Sequence, residues 1–137
     1  WMAAIDSDPE DGTVLFAAGV FYYFQAEAVR TMVAAMSRRF PGGRLVFDAA
    51  GKTAVKLMLK TWVKQADIQD VGAYFSVAHA KKELGRWAEN LKVSSRGYMQ
   101  GYEKLEGFGI KPVHRLLAKI ADGPLHLQIV GIDFDTK

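Results

Sequence analysis

Thr13-Val14-Leu15-Phe16-Ala17-Ala18-Gly19-Val20-Phe21-Tyr22-Tyr23-Phe24 is the stretch around which the rest of the chain is organised. Residues 13–18 form an apolar run, which predicts a strand buried on both faces, as in a parallel sheet flanked by helices. The strand stops at Gly19, an aromatic cluster follows, and a helix is predicted directly after it. Ligands of open α/β sheets bind outside the carboxyl ends of the strands. Ala18, Gly19 and Tyr22 therefore stand where a site belongs. The spacing of Phe21, Tyr22, Tyr23 and Phe24 favours core packing over a stacking platform for a flat ligand.

Working outward, the spacing predicts a helix over 25–39. Val29, Met32, Val33, Met36 and Phe40 share one face, and Arg38 and Arg39 suit the negative end of the helix dipole. Pro41-Gly42-Gly43 ends that helix. Arg44 to Phe47 then predicts a second strand, ending at Asp48. Strand, helix and strand with short links make a βαβ unit, whose strands are parallel and whose crossover is right-handed.

Further helices are predicted over 53–66, 79–90 and 112–121. The first carries Val55, Met58, Leu59, Trp62, Val63 and Ala66 on its apolar side, with Lys52, Lys56, Lys60 and Lys64 on the other. A lysine row of this kind reads as a solvated face. Leu84, Trp87, Ala88 and Leu91 mark the buried edge of the second. Val113, Leu116, Leu117 and Ile120 make the buried stripe of the third. Residues 71–77 read as a short extended stretch, and strands are predicted over 92–98 and 125–134. The order β, α, β, α, α, β, α, β contains no repeat and no internal linker, so residues 1–137 read as one domain or part of one.

The 137 residues are half hydrophobic and about a quarter charged, the balance of a chain with a packed core. No apolar run approaches the roughly 18 residues of a membrane span, and no secretory leader is visible. There are no cysteines, which excludes disulfides, thiol catalysis and cysteine-ligated zinc and fits a cytoplasmic, reducing location. The net charge of +3 is spread along the chain instead of gathered into a patch, so no nucleic-acid partner and no membrane partner is expected. The chain opens on Trp1 with only a short lead-in before its first strand, and reads as a piece of something longer.

Chemistry-bearing motifs are few. There is no Gly-x-Ser-x-Gly elbow. His79, His114 and His126 lack metal-ligand spacing, so no metal is expected, and His126 reads as a structural residue alternating with apolar neighbours on a strand. Gly107-Phe108-Gly109 with Lys111 is a weak anion-loop pattern. Asp48 is the most informative carboxylate. At the carboxyl end of an apolar strand it sits where a base or a substrate-binding group belongs, although a cap for the following helix explains it equally well.

Taken in order, the stretch 13–24, the run Phe40-Pro41-Gly42-Gly43-Arg44-Leu45-Val46-Phe47-Asp48-Ala49, Trp87-Ala88-Glu89-Asn90, Val93-Ser94-Ser95-Arg96-Gly97-Tyr98-Met99 and Leu127-Gln128-Ile129-Val130-Gly131-Ile132-Asp133-Phe134 resemble the second half of the leucine carboxyl methyltransferase family. The bacterial O-methyltransferases of polyketide synthesis, the tetracenomycin type, are the more similar branch. The resemblance implies an α/β fold: the C-terminal half of a Rossmann-like class I methyltransferase sheet with flanking helices. Residues 13–18, 44–48, 92–98 and 125–134 would be strands four to seven, the last antiparallel between the fifth and sixth. The N-terminal, cofactor-binding half would be absent.

The resemblance further implies S-adenosyl-L-methionine as cofactor, bordered here by Ala17, Ala18, Gly19 and Trp1, and a small-molecule methyl acceptor handled near Asp48, Tyr22 and Tyr23. Where the family carries Glu-Gly this chain has Ala18-Gly19, and Ala18 cannot accept a hydrogen bond through its side chain. The implied partner is the missing N-terminal half of the same protein, and alone the chain is expected to bind cofactor weakly. The rival expectation is a non-catalytic α/β interaction module that forms a homodimer through the bare edge of its first strand.

Overall fold

The computed structural model describes residues 1–6, 12–58, 60, 61, 75–101 and 109–135. The chain is α/β, with one four-stranded mixed sheet and helices. Strand β1 is Val14–Ala17, helix α1 Ala26–Arg39, strand β2 Arg44–Ala49 and helix α2 Lys52–Met58. Helix α3 is Ala80–Leu84, strand β3 Leu91–Gly97, helix α4 Pro112–Asp122 and strand β4 Gln128–Phe134. The strands lie in the order β1-β2-β4-β3. β1 pairs parallel with β2, in the register Leu15 opposite Leu45 and Ala17 opposite Phe47. β4 runs antiparallel to both β2 and β3, between them. The carboxyl ends of β1, β2 and β3 therefore share one end of the sheet, which is where the candidate site forms.

Alternation along the strands builds one main core. Leu45, Phe47 and Ala49 of β2 and Val130, Ile132 and Phe134 of β4 point to the same face, because residues two apart share a side. Val29, Val33 and Met36 of α1 cover this face together with Phe40, as the helical periodicity predicts. Ala80 and Leu84 of α3 and the segment at Phe75 and Val77 complete the layer. Phe21, Phe47 and Phe75 meet as a ring cluster, with centroids 5.0 Å apart for Phe21 and Phe47 and 6.3 Å for Phe47 and Phe75. The buried Gln128 amide donates to the carbonyls of Val77 (3.0 Å) and Ala78 (3.2 Å), fastening that segment to the sheet.

The link from α1 to β2 leaves no room for a side chain at Gly43. A Cβ at Gly43 would stand 2.9 Å from the carbonyl oxygens of both Phe40 and Thr13, which are backbone atoms that cannot step aside. The Pro41-Gly42-Gly43 sequence is thus both the stop for α1 and the close approach that sets the β1–β2 register, with the Arg44 N–H donating to the Thr13 carbonyl at 2.7 Å.

Several expectations are corrected. β1 is not buried on both faces: Val14 and Phe16 are 72% and 74% exposed, while Leu15 and Ala17 are half-buried. The physical reason is its place at the sheet edge, where no described helix covers the second face. The α4 stripe is likewise exposed at Val113, Leu116, Leu117 and Ile120, and Ala118 is the residue this helix buries. The third predicted helix stops at Leu84 instead of Asn90, where Gly85 and a turn bonding the Trp87 N–H to the Leu84 carbonyl replace it. His126 is not on a strand. It holds a left-handed φ of 52° in the turn before β4, with its ring 5.2 Å from that of His79. Leu59, Trp62, Val63, Lys64, Ala66, Val71, Gly107 and Phe108 lie outside the described residues.

Candidate functional site

The site grows from the ends of the parallel strands. After β1 the chain bends at Ala18 and Gly19 and enters a short 3-10 turn, Phe21–Tyr23. Gly19 has a φ of +64°, a left-handed conformation that glycine adopts at low cost. This bend turns the Gly19 N–H toward β2, where it donates to Asp48 Oδ1 at 2.6 Å. The charge-assisted bond ties the carboxyl ends of two neighbouring parallel strands together. Asp48 is therefore occupied across the sheet; in the following turn it is the Gly51 carbonyl that accepts the Val55 N–H at 3.0 Å, opening α2.

The 3-10 turn divides the aromatic cluster. Phe21 and Tyr22 go inward, whereas Tyr23 and Phe24 stay exposed. Phe21 joins the main core, and Tyr22 packs with Ala50 and Val55 in a second cluster bordered by Met58 and Leu127. The Tyr22 phenol is held well above the ordinary tyrosine range. Burial is the first cause, the nearby Asp48 charge the second and a hydrogen bond to Asp48 the third. Tyr22 thus keeps its proton and donates it to the Asp48 carboxylate as a hydrogen bond, orienting that group; it cannot serve as a base near neutrality.

Tyr22, Tyr23 and Asp48 open onto a cleft of about 710 Å³. α2 supplies one wall through Val55 and Met58, and Leu125 and Leu127 supply another. Tyr98 closes the third side, immediately after β3. Its position is set by two contacts. The Tyr98 N–H donates to the Leu127 carbonyl at 3.1 Å, and the Asp122 carboxylate accepts the N–H groups of Met99 (2.8 Å) and Gln100 (2.7 Å). Neither Tyr98 nor Asp122 stood out in the sequence. Tyr98 follows a strand that runs parallel to β1 and β2, so the rule that singled out Gly19 and Asp48 would also have found it once that direction was known.

The other sequence candidates are placed as follows. Ala17 ends β1, and Ala18 and Gly19 are exposed beside the cleft mouth. Trp1 is exposed and opens the 3-10 turn Met2–Ala4. Arg39, in the last turn of α1, donates to the Ile5 carbonyl at 2.7 Å and so ties this lead-in to the end of α1 remote from Tyr22. The structure brings Gly19, Tyr22, Tyr23 and Asp48 together, whereas the lead-in that carries Trp1 is tied at Ile5 to the far end of α1.

Among the described residues no group of three histidine, acidic or cysteine side chains stands close enough to hold a metal ion, and no helix is long and apolar enough to cross a membrane. No protein-family model matches the chain, and no curated protein matches it significantly.

Proposed function

We propose that this chain carries the acceptor side of an S-adenosylmethionine-dependent O-methyltransferase acting on a small molecule. The observation that carries the reading is the Gly19–Asp48 bond, which sets a carboxylate at the carboxyl ends of adjacent parallel strands beside a cleft. The strand order supports it: a final antiparallel strand inserted between two strands that are parallel to each other is the arrangement the family resemblance implies. On this reading β1, β2, β3 and β4 are strands four, five, six and seven.

The residues at Gly19 fit the reactive end of such a cofactor. Apart from its chain neighbours, no atom of the described residues lies within 4 Å of where a Cβ of Gly19 would be, so a ligand could approach the backbone of Gly19 closely. These residues offer backbone groups and no carboxylate, which suits a sulfonium end and not a ribose. When bound, the cofactor supplies an electrophilic methyl group. Asp48 accepts the hydrogen bond, and then the proton, of the acceptor hydroxyl. Tyr22 orients Asp48, and the apolar walls at Val55, Met58 and Leu127 exclude water from the acceptor. The test is incubation of the full gene product with radiolabelled cofactor and a panel of small aromatic hydroxyl compounds. Transfer of label that Asp48→Asn abolishes is expected; no transfer to any member of the panel overturns the reading.

The exposed edge favours a second reading, a module that pairs with a copy of itself. β1 has a described neighbour on one side only, and Val14 and Phe16 stand exposed on it. Unpaired strand edges recruit further strands. Light scattering over a concentration series is expected to show a dimer that Val14→Lys with Phe16→Lys dissolves. A monomer at every concentration would sink this reading.

A further inference from the structure

The lining of the cleft carries a charge asymmetry that bears on what can enter it. Asp48 is the one charged side chain among its described lining residues, which include no lysine, arginine or histidine. The described partners of Asp48 are the Gly19 N–H and the Tyr22 phenol, both uncharged donors. The carboxylate thus stands at a cleft whose other described walls are largely apolar or aromatic. Three tyrosines, Tyr22, Tyr23 and Tyr98, stand around the same space. Aromatic faces attract cations and repel anions because of the negative charge at the ring face. Low-dielectric walls strengthen both effects relative to open water.

We propose that Asp48 is the charge selector of this cleft: it takes amphipathic organic ligands that bring a protonated amine or an uncharged hydroxyl to the carboxylate and turns carboxylates away. The inference rests on the reading of the cleft as the acceptor site, but it concerns binding alone. A carboxylate ligand would have to place its charge against Asp48 with no cation among the described lining residues to neutralise either group, while its apolar body gains the same burial as any other. The discrimination therefore comes from the head group. Tyr22 contributes by staying neutral, so that it adds a donor to Asp48 and no second negative charge.

Three probes of one shape separate the head groups: phenethylamine, phenethyl alcohol and hydrocinnamate. Binding is read by ligand-observed NMR and by titration of chemical shifts, at neutral pH and moderate salt, with no cofactor present. Phenethylamine is expected to bind about tenfold more tightly than hydrocinnamate, with the alcohol between them. In Asp48→Asn the carbonyl oxygen can still accept the Gly19 N–H. There the alcohol is expected to keep its affinity and the spread between amine and carboxylate to collapse to about twofold. Equal binding of all three by the wild-type protein, an unchanged order in Asp48→Asn, or binding of none of them overturns the inference. Because no turnover is measured, the charge order can hold where methyl transfer fails. Conversely, methyl transfer to a carboxylate acceptor in this cleft would overturn the selector and leave the transferase reading standing.

Discussion

Asp48→Ala is expected, on the proposed reading of this cleft as a methyl-acceptor site, to lower methyl transfer by about a hundred- to ten-thousandfold, the usual worth of a positioned general base. The same substitution should destabilise the fold by roughly 2 kcal/mol, because it strips the Gly19 N–H and the Tyr22 phenol of a shared acceptor. The two losses can be separated. Asp48→Asn retains an oxygen for Gly19 and cannot take a proton, so it should recover most of the stability and none of the activity. Urea denaturation alongside initial rates reads both. If Asn were as active as the wild type, Asp48 would be a structural tie and not a base.

Tyr22 gives the same contact a pH signature. Its folded pKa is raised above the ordinary value of 10.0, so the fold favours the neutral phenol. That contribution to stability is fully present below about pH 10, the unfolded value, and is lost as pH rises through the folded value. Stability measured by urea denaturation should therefore fall as the solution is taken above about pH 10, and Tyr22→Phe should fall less steeply over the same range. Identical slopes would mean that the Tyr22 phenol ionises as freely in the fold as in the open chain.

Phe47→Ala is expected to cost about 3–5 kcal/mol, enough to unfold a protein of ordinary stability near its working temperature. Phe47 is 1% exposed and lies at the centre of the main core. It meets Phe21 edge-on at 5.0 Å and Phe75 at 6.3 Å, so its removal leaves a cavity lined by rings that cannot collapse into it. It also neighbours Asp48 in β2, so partial unfolding would take the carboxylate with it. The informative control is Leu116→Ala on the exposed side of α4, expected to fall within about 0.5 kcal/mol of the wild type. Equal losses at the two positions in urea denaturation would mean that α4 buries its stripe in solution.

Much of the fold is legible in local pattern. The 3.6-residue spacing of Val29, Val33, Met36 and Phe40 forecast the buried face of α1, and the run Arg44 to Phe47 after the helix stop, ending at Asp48, forecast β2. Both signals are properties of a few successive residues, the first because helical geometry returns side chains to one side at a fixed period. Gly42 and Gly43 announced the turn between α1 and β2 for an equally local reason. The failures are where a pattern states what is apolar without stating what covers it. Val14 and Phe16 in β1 and Leu116 and Leu117 in α4 read as core, yet each lies exposed. Burial depends on a neighbour, and a neighbour is set by tertiary packing.

The candidate site divides in the same way. Gly19 and Asp48 were legible because both fall at predicted strand ends. That they bond to one another, 29 positions apart, follows from the parallel register of β1 with β2. Tyr98 entered the cleft only because β4 inserts antiparallel between β2 and β3 and leaves the carboxyl end of β3 beside that of β2. Tyr22 and Tyr23 were both site candidates in the sequence, and the 3-10 turn after Gly19 made one a buried donor to Asp48 and the other an exposed rim. By itself, the sequence determined the helical and strand periods, the turn at Gly43 and the absence of any thiol chemistry. The tertiary structure decided which apolar faces are covered and which polar groups meet, because those depend on distances between residues far apart in the chain.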